Sequence, residues 1–145
     1  MPDEFFGGLD FGSSGARLSI INEEKVIKYE ISTSYEYGFK NPKSWSYAFK
    51  KLIDKLPTQF KNHIVKLAIS GTSGTLIACT LKGEPLGEAI PYDEACNDNA
   101  SLIESMTVGE EQLQTPYSSL AKALKLIDKY GTNILLRHQS DWITG

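Results

Sequence analysis

The sequence predicts an α/β fold built on a mixed sheet of five or more strands, and two observations carry this. Three short apolar stretches follow one another up to Ser32, separated only by turn-forming residues. That is the pattern of an antiparallel meander. A segment of helical period, Trp45 to Leu56, then precedes an apolar run of strand length, Ile64 to Ile69. A helical crossover of this kind returns the chain parallel to an earlier strand.

The first strand covers Phe5 to Asp10 and the second Ala16 to Asn22, joined by a Gly/Ser-rich turn. Asn22-Glu23-Glu24 turns the chain into a third strand, Lys25 to Ser32. Its residues Ile27, Tyr29 and Ile31 alternate with Lys28 and Glu30. Tyr35 to Lys43 reads as a polar loop and Ser44 as a helix N-cap. Trp45, Ala48, Phe49, Leu52, Ile53 and Leu56 recur at helical spacing, and Pro57 ends the run. Ile64 to Ile69 reads as a buried central strand. A second Gly/hydroxyl turn, Gly71-Thr72-Ser73-Gly74, leads to a strand from Thr75 to Thr80. The turn Leu81 to Glu84 and an extended segment, Leu86 to Tyr92, come next. Asn97 to Met106 forms a short helix. Ser118 or Ser119 caps a stronger one, with Leu120, Ala123, Leu124 and Ile127 on one face and Gly131 at its C-cap. Ile134 to Leu136 is a short strand, and Ser140 opens a last helical turn. The β-β-β-α-β order describes a layer like the ribonuclease H fold. With no repeat or linker, the 145 residues read as one domain.

Composition excludes several functions. The chain is 41% hydrophobic and 23% charged with net charge −3, ordinary for a globular protein. No basic stripe appears, so nucleic acid is not an expected partner. Lys50, Lys51 and Lys55 belong to the solvated face of a helix. No apolar run approaches the ~18 residues of a membrane span. Met1-Pro2-Asp3-Glu4 lacks the basic start of a signal peptide. Two cysteines, Cys79 and Cys96, do not make a disulfide framework, and a cytoplasmic protein is expected. His63 and His138 have no ligand partner at metal spacing. Trp45, Phe49 and Trp142 sit at core spacing. No GxxxxGK[ST] or GxGxxG motif occurs, which disfavours P-loop and Rossmann readings.

The chemistry centres on Asp10-Phe11-Gly12-Ser13-Ser14-Gly15-Ala16-Arg17. Two readings are open from these residues alone. A glycine turn can gather backbone N–H groups around a phosphate, with Asp10 holding Mg²⁺ through water. Alternatively it is a tight hairpin whose glycines supply positive φ and whose Asp10 caps the strand end. Ser14 and Ser73 either offer hydroxyls to a ligand or satisfy turn backbone.

Leu9 to Arg17 resembles the first phosphate motif of the FGGY-family sugar kinases, in the superfamily of actin, heat-shock ATPases and hexokinase. Leu67 to Thr75 resembles that family's next strand and sugar-facing loop. Gly83-Glu84-Pro85-Leu86 resembles its turn before the pocket segment. Ser118 to Lys122 and Gln139 to Gly145 resemble the two helices that close its N-terminal domain. The motifs fall in order over nearly the whole chain. The hairpin and the Gly-Thr-Ser-Gly-Thr loop look most like the plant and cyanobacterial xylulokinase-like, ribulose kinase-like branch.

The resemblance implies ATP-dependent phosphorylation of a sugar, a ketopentose such as D-ribulose first, with ATP and Mg²⁺ as cofactors. It implies a ribonuclease H-like (actin-like ATPase) domain with a mixed five-stranded sheet. Asp10 would be the catalytic Mg²⁺ ligand. Gly12, Ser13, Ser14 and Gly15 would grip the β/γ-phosphates, and Arg17 would face them or pair with a surface acid. Ser14, Thr72, Ser73, Tyr92, Asp93 and Glu94 would line the sugar pocket. Two departures stand out. Where many members carry Trp-x-Asp-x-Arg, this chain has Tyr92-Asp93-Glu94-Ala95-Cys96, with Glu94 at the acid position and Cys96 at the Arg position. Residues 1–145 also match only the family's N-terminal domain; the second, ATP-binding domain with the catalytic base is absent. The chain alone is therefore expected to be inactive and open to self-association through an uncovered cleft wall. A non-catalytic sugar- or phosphate-binding module, alone or with a partner chain, is the alternative.

Overall fold

The computed structural model describes residues 4–145, so the acidic start at Met1–Asp3 lies outside the described residues. The chain divides into two compact units, one running to Gly71 and the other spanning Thr72–Ile143.

The first unit holds β1 (Phe5–Phe11), β2 (Gly15–Asn22), β3 (Ile27–Ser34), α1 (Pro42–Lys55), α2 (Thr58–Lys61) and β4 (Ile64–Gly71). Its sheet has the order β3-β2-β1-β4. The first three strands are antiparallel neighbours, and β4 runs parallel to β1, as the crossover predicts. Alternation gives the sheet two unlike faces. Leu9, Phe11, Ala16, Leu18 and Ile20 are buried on one side, while Gly8, Asp10 and Arg17 are exposed on the other. The helix α1 packs on β2 and β3, and its Trp45, Ala48 and Leu52 are buried. Phe60 closes the far end of this core against Phe5, edge to face at 5.0 Å.

Three expectations change in this unit. The helix begins at Pro42, capped by Asn41, whose side chain accepts the Lys43 N–H; proline suits the first helical position because its missing N–H is unneeded there. Ser44 lies inside the helix instead, buried, and accepts the Tyr37 N–H at 3.0 Å. The strand β3 starts two residues late, leaving Ile27 exposed. The strand β4 is outermost in its sheet rather than central, with Val65 and Leu67 exposed.

The second unit explains why this sheet has four strands rather than five. It holds β5 (Leu76–Cys79), α3 (Ala100–Met106), a 3₁₀ turn (Glu111–Leu113), α4 (Ser119–Tyr130), β6 (Leu135–His138) and α5 (Gln139–Thr144). The strand β5 is the expected fifth strand, yet its hydrogen bonds are used locally. It pairs antiparallel with β6. Leu76 also exchanges both backbone bonds with Ile90, and the Leu86 N–H donates to the Ala78 carbonyl. The segment expected to be extended from Leu86 to Tyr92 thus serves as an irregular flank of β5. Leu76, Ala78, Ile90, Cys96, Ile103, Ala121 and Leu126 form the core. The Ser118 hydroxyl accepts the Ala121 N–H at the start of α4, and Gly131 ends it. Among the described residues no helix is long and apolar enough to cross a membrane.

Candidate functional site

In the first unit the candidate residues gather at one end of the exposed sheet face. Strand register aligns Ser32, Arg17, Asp10 and Ser70 in a row across β3, β2, β1 and β4. All four are exposed. Beside this row lies a hollow of about 430 Å³. Asp10, Gly12, Ser14, Gly15 and Arg17 line it together with Ser32, Thr33 and Ser34 of β3. An acid, a guanidinium and several hydroxyls thus share one recess. Oxygen donors suit a hard cation, and Arg17 suits a phosphate. Among the described residues no group of three or more His, Cys, Asp or Glu could hold a metal ion. Mg²⁺ held at Asp10 would therefore take its other ligands from phosphate and water, the usual mode for this ion.

The turn is built for close approach rather than for unusual φ. None of its glycines has positive φ. A Cβ on Gly15 would lie 2.2 Å from the Thr33 carbonyl oxygen of the neighbouring strand, so only glycine fits. The Gly12 N–H donates to the Gly15 carbonyl at 2.9 Å, which commits one of the N–H groups expected to face a phosphate. Tyr35 clamps the turn from outside. Its hydroxyl donates to the Gly12 carbonyl at 2.9 Å and its N–H to the Ser14 carbonyl at 3.2 Å. Ser13 and Ser14 are exposed on the turn.

In the second unit a different set comes together. Gly74, at φ 76°, lies where an added Cβ would sit 3.7 Å from the Tyr92 Cβ, so the turn carrying Ser73 packs against the Tyr92 segment. Ser73, Tyr92 and Asp93 are exposed and Glu94 is half-buried. Thr72 is half-buried and bonded inward. Its N–H and hydroxyl both donate to the Gln139 Oε1, at 2.8 and 2.9 Å, and its hydroxyl meets the buried Thr75 hydroxyl at 2.7 Å. The hydroxyl expected to face a sugar is thus bound internally. Cys96 is 2% exposed in the core. Burial pushes its thiol up from the usual range.

Sequence reasoning missed the residue that joins these pieces. Lys122 is fully buried. Its Nζ donates to the Gly74, Tyr117 and Tyr92 carbonyls at 2.8, 3.0 and 3.1 Å. Burial pulls its pKa down, while Cys96, Asp93 and Glu94 act in the opposite direction. The spacing of Leu120, Ala123, Leu124 and Ile127 places Lys122 on the opposite side of α4. The buried residues of the helix are instead Ala121, Lys122 and Leu126, with Leu120, Ala123 and Leu124 only partly buried against the core. A lysine gives no apolar signal that could have marked the covered side.

No known family profile matches the sequence. The fold, however, is the mixed α/β arrangement of solved carbohydrate kinases. The xylulose kinase of Rhodospirillum rubrum superposes with a TM-score of 0.80 at 16% identity, over 97% of this chain and 33% of that one. That of Bifidobacterium adolescentis gives 0.79 at 13%, over 98% and 33%. The glycerol kinase of Plasmodium falciparum, solved with ADP, gives 0.76 at 14%, over 97% and 33%. The chain therefore spans about a third of the length of the solved kinases it matches. At these identities the likeness is one of fold.

Proposed function

We propose that this chain is the N-terminal, sugar- and phosphate-binding part of an ATP-dependent, FGGY-type sugar kinase, acting in the cytoplasm on a ketopentose, D-ribulose first. The observation that carries the reading is the Asp10 hollow, set at the end of a sheet whose fold is that of carbohydrate kinases. Phosphoryl transfer asks a protein mainly to position reactants and neutralise charge. Asp10 would hold Mg²⁺, which shields the transferring phosphate when bound. Ser13, Ser14 and Gly15 would hold the phosphate oxygens, with Arg17 supplying positive charge. Ser73, Tyr92, Asp93 and Glu94 would bind the sugar. The base that takes the sugar hydroxyl's proton would come from a second domain, in keeping with the chain's one-third coverage of the solved kinases.

Coupled ADP release by the product of the whole reading frame tests this, with D-ribulose, D-xylulose and glycerol as substrates. Turnover that depends on one of them and disappears in Asp10→Ala is expected. Absence of turnover with every polyol overturns the reading in favour of a binding module. The 145-residue chain by itself is expected to bind sugar without turning it over.

A further inference from the structure

Lys122 presents a problem that packing does not solve. An ammonium taken out of water is costly, and an apolar side chain of similar volume fills such space at least as well. The ammonium is bonded to three backbone carbonyls rather than to a carboxylate among the described residues. An ammonium has three donors, and each is used on a different stretch of chain. One holds the turn that carries Ser73, one holds the segment that begins at Tyr92, and one holds Tyr117 just before the cap of α4. The charge therefore joins the two stretches assigned above to the sugar.

The contact at Tyr92 has a geometric consequence. In a planar trans peptide the C=O and the following N–H point in opposite directions. The Tyr92 carbonyl is turned inward onto the Nζ at 3.1 Å. The Asp93 N–H, the other end of the same peptide, is thus directed away from Lys122, at an exposed residue. A backbone N–H held this way is a fixed donor, of the kind that orients a polar ligand without side-chain entropy.

We infer that Lys122 is a positioning residue that locks the 72–75 and 92–94 stretches together and presents the Asp93 N–H as a hydrogen-bond donor to a hydroxyl oxygen of the sugar. The inference rests on the proposed sugar pocket. Its test separates the two.

Amide hydrogen exchange and ¹⁵N–¹H spectra of the 145-residue chain, with and without D-ribulose or D-xylulose, decide it. In Lys122→Met, exchange is expected to quicken at least tenfold at residues 72–75 and 92–94, with β1 and β2 unchanged. In the unaltered chain, added sugar is expected to shift the Asp93 amide, and this shift is expected to vanish in Lys122→Met. Lys122→Gln keeps two donors without the charge and is expected to loosen the same stretches less. If the Met variant does not fold, the Gln variant carries the test alone. Unchanged exchange at either stretch, or a rise spread evenly over the chain, overturns the positioning role. Sugar-dependent shifts that bypass Asp93 overturn the donor role. If neither sugar shifts any amide, the sugar-pocket reading and the Asp93 donor fall together, while the exchange result still decides Lys122.

Discussion

The two compact units of this chain are held by different physics. The unit that ends at Gly71 is built from alternation: every second residue of β1 and β2 is buried, and α1 covers the apolar face. Its polar groups stand on the opposite, solvated face. The unit from Thr72 to Ile143 has only a two-stranded sheet, and buried polar side chains fill the gap. Lys122 ties three carbonyls, and Gln139 binds Thr72 twice. In the first unit hydrophobic burial sets the structure and leaves Asp10 available for chemistry. In the second, irregular loops keep their shape through side-chain-to-backbone hydrogen bonds, so a single buried residue can control several candidate ligand contacts.

This contrast can be broken most sharply at Asp10. If the polar face of the first unit does the proposed chemistry, Asp10→Ala in the product of the whole reading frame lowers kcat by a factor of about 10³ or more, an electrostatic loss of roughly 4 kcal/mol. Folding stays intact, because Asp10 is exposed. Turnover assays alongside urea unfolding check both halves, and undiminished kcat in a folded variant would reduce Asp10 to a strand-end residue.

The next effect belongs to the second unit and to stability. Lys122→Met strands three carbonyls, and each unsatisfied buried group costs on the order of 1–3 kcal/mol, offset in part by removal of the buried charge. A net loss of about 2–4 kcal/mol is expected. Each unit contains one tryptophan, Trp45 in the first and Trp142 in the second. Variants that keep one tryptophan each can therefore assign the loss. The Trp142 signal is expected to move to lower urea and the Trp45 signal to move less. Equal shifts would mean that the two units unfold as one.

A paired substitution then tests the hairpin. Gly15→Ala drives a Cβ into the Thr33 carbonyl at 2.2 Å, whereas the nearest such atom for Gly12→Ala is 3.7 Å away. Overpacking that must move backbone costs about 1–3 kcal/mol, so Gly15→Ala is expected at the upper end of that range. Gly12→Ala is expected to fall within about 0.5–1 kcal/mol of the parent. Thermal unfolding measures both, and equal effects would mean that close strand approach is not what demands glycine at position 15.

The same contrast explains what was legible in the sequence. The meander, the crossover helix and the parallel return follow from periodicities that depend only on near neighbours, and the structure has them. The cap at Ser118 and the stop at Gly131 are equally local. What stayed hidden depends on distant partners. The run Ile64 to Ile69 looks central, but its place depends on where the next strand pairs, and β5 spends its hydrogen bonds on β6 and on the flank around Ile90. Thr72 reads as a ligand hydroxyl until Gln139, far along the chain, claims it. The alignment of Asp10 and Arg17 follows from hairpin register. The contribution of Ser32 to Ser34 to the same hollow does not, because it rests on the register of β3.

The finest test of the contrast is its pH dependence. Burial lowers the pKa of Lys122, so between that lowered value and the ordinary lysine range the unfolded chain holds more protons than the folded one. Stability from this group must then rise with pH through that window, and be lost as pH falls through the folded value. The buried cysteines work the other way. Burial raises the thiol pKa of both Cys79 and Cys96, so their contribution is complete below the ordinary thiol value and is lost as pH rises through the folded one. The raw profile of the protein mixes the two, and Cys96, Asp93 and Glu94 all act on the Lys122 ammonium. Subtracting the profile of Lys122→Met removes Cys79, which both proteins share. It leaves Lys122 with its coupling to Cys96, whose thiol the ammonium draws down. The two act in the same direction on the difference. The difference in unfolding free energy, followed by the Trp142 signal in alkaline buffers, is expected to grow in favour of the unaltered protein as pH rises. A flat difference would mean that water reaches the Nζ and that Lys122 titrates as an ordinary surface lysine. A difference of opposite slope would mean that Asp93 and Glu94, rather than burial, dominate its charge.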